Sequence, residues 1–139
     1  MNKIRIIACL GLLYGVLACA GASKKVNYAN PKSVSLAFYR ALAANDLEQA
    51  KQVGTNQTKN VLVLLQTLSD ALPKEEWEKQ AEEMKAQLKR LKKSKCTVAG
   101  EQATCSVCCD ETGGFSQTVV LKLVDKKWLV DMKKEDLQE

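Results

Sequence analysis

The sequence contains no histidine and only two prolines, and aromatic residues make up just 5% of it. The missing histidine removes the commonest general base near neutral pH and every paired-histidine metal motif. Glycine is sparse too: no phosphate-cradling glycine loop and no Gly-x-Ser-x-Gly stretch occurs. The longest apolar run, Ile6–Ala18, falls short of the ~20 residues a membrane-crossing helix needs. Charge of one sign is also scarce. Lys3 and Arg5 carry two of the five net positive charges, so the excess from Cys19 onward is +3, too mild to argue for nucleic acid. Asp110, Glu111, Asp131, Glu135 and Asp136 fall in turns or near the C-terminal end, where carboxylates are solvated. Asp46 and Asp70 read first as a helix cap and an exposed face. The expectation is a protein that is not an enzyme, with no cofactor and no resident metal.

What is present is an ordinary globular balance, 46% hydrophobic and 27% charged, in a chain long enough for one domain. Its start, Met-Asn-Lys-Ile-Arg followed by Ile6–Ala18, has the basic n-region and apolar stretch of a secretory signal. Val16-Leu17-Ala18-Cys19 resembles the bacterial lipobox, which implies cleavage before Cys19 and lipidation of its thiol. Ala20 follows in place of aspartate, which resembles an outer-membrane destination facing the periplasm. The expected organisation is a signal peptide over 1–18, a lipidated cysteine and polar tether over 19–30, and one α+β domain over 31–136.

Asn30-Pro31 offers a cap and a first helical residue. Val34, Ala37, Phe38, Ala41 and Leu42 then share one helical face, with Ser35, Tyr39 and Arg40 off it. Asp46 caps a short helix from Leu47 to Val53, ended by Gly54. Thr55 or Asn56 opens a third helix whose apolar positions run from Val61 through Leu64, Leu65 and Leu68 to Leu72. After Pro73 a fourth helix is predicted over Lys74–Lys93, its stripe of Trp77, Ala81, Met84, Leu88 and Leu91 placed in the core. Strands follow at Lys95–Ala99, Gln102–Cys109, Phe115–Val124 and Lys127–Met132. A two-residue turn at Gly100-Glu101 pairs Cys96 with Cys105 and Val98 with Ala103. A turn at Asp125-Lys126 pairs Leu123 with Trp128, Leu121 with Val130 and Val119 with Met132. The layout is N-terminal helices packed on a four-stranded antiparallel meander.

Pro31-x-Ser33-Val34 with Phe38-x-x-Ala41-Leu42-Ala43-x-Asn45-Asp46 resembles the opening of a bacterial lipoprotein family of unknown function. That family has a lumazine-binding-protein-like domain in the nuclear transport factor two-like superfamily. Leu121-x-x-Val124-Asp125-x-Lys127-Trp128-x-Val130-Asp131 resembles its last hairpin, with Lys126 where that turn usually has glycine. The resemblance spans roughly residues 30–133. It implies a cone-like sheet wrapped around helices, often enclosing a cavity. Phe38, Leu42, Leu65, Leu121, Trp128 and Val130 are the candidate lining for a small apolar ligand, with a peptide or an envelope protein as the other expected partners.

Four cysteines remain after Cys9 and Cys19. Cys96 and Cys105 face each other at a non-hydrogen-bonded position and form the favoured disulfide. Cys108 and Cys109 point to opposite faces of their strand, and their pairing is open. Cys105-x-x-Cys108 also has redox spacing, and the four thiols together match a zinc donor set, so a periplasmic thiol or metal protein is the alternative. The run Lys89-Arg90-Leu91-Lys92-Lys93-Ser94-Lys95 suits anionic headgroups. It suits equally the C-terminal dipole of a helix that opens with Glu75, Glu76 and Glu78.

If the lipobox reading holds, the protein extracted from membranes begins at Cys19 and carries acyl chains by intact mass. Cys19→Ala should abolish both, and a Cys19→Ala protein still cleaved and still acylated would refute it.

Overall fold

The computed structural model of the protein describes residues 25–108 and 116–137. The leader, Cys19, Cys109, Asp110, Glu111 and Phe115 lie outside the described residues. Among the described residues four helices, α1 (Pro31–Ala43), α2 (Leu47–Gln52), α3 (Asn56–Ala71) and α4 (Lys74–Leu88), precede four strands. These are β1 (Lys93–Ala99), β2 (Gln102–Cys108), β3 (Gln117–Val124) and β4 (Lys127–Val130), followed by a short 3-10 turn at Lys134–Leu137. The sheet is an antiparallel meander in the order β1-β2-β3-β4, so the architecture is α+β.

Helix α1 is the element on which the layers meet. Asn30 caps it by accepting the Lys32 N–H at 3.0 Å, and Pro31 fills its first position. At its other end Asn45 takes a left-handed φ of 55°. That turns the Asp46 N–H back to the Ala41 carbonyl (2.8 Å) and the Asn45 N–H to the Leu42 carbonyl (3.0 Å), the Schellman arrangement. Asp46 then caps α2 by accepting the Gln49 N–H at 3.1 Å.

Between these ends α1 touches α2, α4 and all four strands. Being covered on more than one side, it buries Ser35 and Tyr39 as well as Val34, Phe38 and Ala41, although the wheel set those two off the apolar face. Ser35 is accommodated by donating to the Lys32 carbonyl (2.9 Å) and by sharing a hydrogen bond with the Ser94 hydroxyl (2.8 Å).

The apolar faces of α3 and α4 are covered over only part of their length. Val61 and Leu62 are fully buried, yet Leu68 is 51% and Met84 56% exposed, and Leu72 is exposed too. Of the stripe expected in the core, only Leu88 and Leu91 are buried, where α4 reaches α1. Periodicity reports which side chains share a face, but not how far the neighbouring layer extends. Helix α4 also stops at Leu88, not Lys93, because pairing of the sheet begins early: the Lys92 N–H bonds the Cys108 carbonyl at 2.8 Å.

The hairpin registers are those expected, Cys96 opposite Cys105, Leu123 opposite Trp128 and Leu121 opposite Val130. Gly100 supplies the positive φ of the first turn. In the second, both Asp125 (φ 49°) and Lys126 (φ 65°) are left-handed. That is the type I′ geometry, adopted without glycine because its twist matches the flanking strands. Strand β4 ends at Val130, and Val119 has no partner in Met132. The Asp131 N–H still reaches the Val120 carbonyl (2.8 Å), but the Met132 N–H turns away to the Thr58 hydroxyl (2.8 Å).

The outer edge of β4 is closed by two segments. Its Trp128 N–H donates to the Tyr28 carbonyl at 2.9 Å, and its Val130 N–H to the Val53 carbonyl at 2.8 Å. Residues 26–30 are therefore part of the domain, with Val26 and Tyr28 packed on the core, and the polar tether expected up to residue 30 ends earlier. Beyond Val53, the Thr55 N–H (2.8 Å) and the Thr58 hydroxyl (2.6 Å) both donate to the Val130 carbonyl. Thr55 also donates to Asp131 Oδ1 at 2.9 Å, and Lys122 Nζ lies 3.2 Å from Oδ2. Asp131, expected to be solvated, is thus buried and partnered. A side chain at Gly54 would come within 2.7 Å of Thr58 Cγ2, so glycine permits the close approach. The outer edge of β1, where Ser94, Cys96 and Val98 turn their N–H and C=O groups away from β2, has no backbone partner among the described residues.

Thr58→Val keeps the shape of the side chain but strips both of its backbone partners. The Val130 carbonyl keeps the Thr55 N–H and the Met132 N–H is left unpaired, so the expected loss is roughly 1–3 kcal/mol, read as a lower urea midpoint. An unchanged midpoint would show that this hydroxyl does not hold β4.

Candidate functional site

The C-terminal ends of α1 and α4 converge, and between them lies an open cleft of about 530 Å³. Arg40, Ala43 and Ala44 contribute from α1, and Lys85, Leu88, Lys89, Leu91 and Lys92 from α4 and the turn after it. Lys85, Leu88 and Lys89 follow helical spacing, which brings them to one side of the helix end, and the turn after it carries Leu91 and Lys92 to the same cleft. Leu88, Leu91 and Ala43 are buried and make an apolar floor. Four cations rim it, and no acid lines it.

Helix dipoles account for part of that charge. Two C-termini place roughly half a negative charge each at the cleft, about one in all. The carbonyls there are largely occupied: the Schellman turn takes those of Arg40, Ala41 and Leu42, and the Lys89, Arg90 and Leu91 N–H groups take those of Lys85, Gln87 and Leu88. Four cations exceed one negative charge. Lys85 lies 3.9 Å from Glu82 Oε1 in an exposed pair of little worth. Arg40, Lys89 and Lys92 have no acidic partner among the described residues. The sequence showed the Lys89–Lys95 run but not its meeting with Arg40 and Lys85. The i, i+4 spacing of Lys85 and Lys89 was the one signal available.

The six residues singled out as a cavity lining sit elsewhere. Phe38, Leu121 and Val130 have no accessible surface, and Trp128 is buried. Leu42 and Leu65 are half-buried against the same cluster. None of the six lines the cleft. Zero accessibility leaves no water-sized void against Phe38, Leu121 or Val130. Tyr39 packs edge-on to Phe38 at 5.5 Å, and burial pushes its phenol up to about 12. Asp46 is an exposed cap and Asp70 is exposed.

Cys96 and Cys105 are joined in a disulfide between paired positions of β1 and β2. Cys105 is fully buried and its sulfur is used in that bond, so Cys105-x-x-Cys108 is not a dithiol here. Cys108 is free and half-buried. Among the described residues no group of three or more Cys, Asp or Glu side chains is placed to hold a metal ion.

No protein-family model matches the chain, and no curated protein matches it. It is similar to a solved structure from Campylobacter jejuni described as a candidate NTF2-like transpeptidase, with a TM-score of 0.44 and 21% identity. The match covers 75% of this chain and 99% of that one.

Replacing Cys96 and Cys105 together by serine opens a short hairpin loop. Chain entropy puts the cost at roughly 2–3 kcal/mol, measured as a fall in unfolding free energy with the cleft unchanged. A variant as stable as the parent would remove the structural role assigned to this bond.

Proposed function

We propose that this protein is a lipid-anchored, non-catalytic binding domain of the bacterial cell envelope, and that it engages its ligand at the α1–α4 cleft, not in the interior of the cone. One contrast carries the reading. The side chains on the inner face of the sheet fill their space, whereas the cleft is open, apolar at its floor and rimmed by four cations, three of them without an acidic partner among the described residues. Anchoring rests on the lipobox-like Val16–Cys19 and the basic, apolar leader before it. A non-catalytic role is supported by the absence of histidine from the whole sequence. The NTF2-like kinship is likewise part of this reading, carried by the Pro31–Asp46 and Leu121–Asp131 motifs together with helices laid across one face of an antiparallel sheet.

The test is in-cell photocrosslinking. A photoreactive side chain at Ala44, exposed at the cleft, should yield a discrete adduct by mass. The same group at Gln57, exposed on α3, should not. Equal adducts at both positions, or none at Ala44, would reject the cleft as the binding site.

A further inference from the structure

We infer that the cleft binds a phosphate ester bearing a short apolar group, an inference that rests on the cleft being the binding site proposed above. The chemistry divides along the lining. Arg40, Lys85, Lys89 and Lys92 supply the cationic rim, and Ala43, Ala44, Leu88 and Leu91 the apolar floor.

Three considerations select phosphate. With Lys85 set against Glu82, and roughly one negative charge from the two helix ends set against Arg40, Lys89 and Lys92, an excess of about two remains. That exceeds what a lone carboxylate neutralises and suits an anion that takes several donors at once. Arg40 offers a planar fork for two phosphate oxygens, while the lysines act as point charges that approach the others. An exposed guanidinium and lysines are also already hydrated, so the cost of bringing an anion to them is small compared with burial in a core.

The apolar group is selected by the floor. Leu88 and Leu91 are buried beneath the cations, and about 530 Å³ is more than a bare phosphate fills. A phosphate with a few carbons attached uses both parts of the lining, and inorganic phosphate uses only one.

Two sources present this chemistry: the headgroup region of a phospholipid, and a soluble phosphate ester. Geometry bears on which. The described chain enters at the N-terminal end of α1, and the cleft lies at its C-terminal end, about 18 Å farther along at 1.5 Å per residue.

The experiment uses the full mature lipoprotein in a non-ionic detergent, with hexyl phosphate, inorganic phosphate and hexanol as separate calorimetric probes. Hexyl phosphate should bind at least tenfold more tightly than either of the others, and its affinity should fall as salt is raised. Arg40→Gln with Lys89→Gln should weaken it at least tenfold while the thermal midpoint moves by only a few degrees, both side chains being exposed. Lys74→Gln with Lys79→Gln, distant on the same helix, should leave it unchanged. Displacement of hexyl phosphate by phosphatidylglycerol vesicles but not phosphatidylcholine vesicles would identify a lipid source. Displacement by neither would identify a soluble ester. Hexyl phosphate binding no tighter than inorganic phosphate, or indifferent to the Arg40 and Lys89 replacements, would overturn the inference. In that event a persistent Ala44 crosslink would leave the cleft as the binding site with a different ligand, and loss of the crosslink as well would remove both.

Discussion

The Val130 carbonyl and the groups around it hold the two layers in one arrangement. Strand β4 has only four residues, too few to fix its own position, and the Thr55 and Thr58 hydroxyls that secure its end come from 72 to 76 residues earlier in the chain. The Val53–Thr55 backbone extends the sheet by one bridge, and Thr58 reaches from the first turn of α3 to complete the hydrogen bonds of Val130 and Met132. Gly54 is what lets the two backbones come close enough. Because α2 ends just before this junction and α3 starts just after it, the same bonds set where both helices lie. Helix α1 then fills the space they leave over the sheet.

Local patterns in the sequence foretold the elements and their registers well. Asn30-Pro31, Asp46 and Thr55 each cap the helix they were assigned to, and the apolar alternation of β2 to β4 selects one pairing. What sequence could not supply was the identity of neighbours in space. Nothing near Thr58 marks it as the partner of Met132, and Asp131 looks solvated until Thr55 and Lys122 are brought beside it. The exposed Leu68 and Met84 make the same point in reverse. Their spacing is that of a buried stripe, and only the limited reach of the adjoining layer leaves them in water.

The cleft illegible in sequence is also a product of long-range assembly. Arg40 belongs to the last turn of α1 and Lys85 to the last turn of α4, each where a helix dipole favours a cation. Separately each is an ordinary end-of-helix charge. Once α4 docks on α1 through Leu88 and Leu91, the two ends share one space, and the positive charge there outgrows what the dipoles ask for. Local helix stabilisation and concentrated charge thus arise from the same residues.

The sheet is finished on one side only. Tyr28 and Val53–Thr55 close β4, while the outward-facing Ser94, Cys96 and Val98 backbone groups of β1 have no partner among the described residues. A sheet with two bare edges can add copies end upon end without limit, but one with a single bare edge can do so only once. Edge-on growth from this fold therefore terminates at a two-fold pair joined β1 to β1, and Lys93 and Lys95 would have to meet their own counterparts for even that pair to form. Covering one short strand makes the fold self-limiting in edge-on growth.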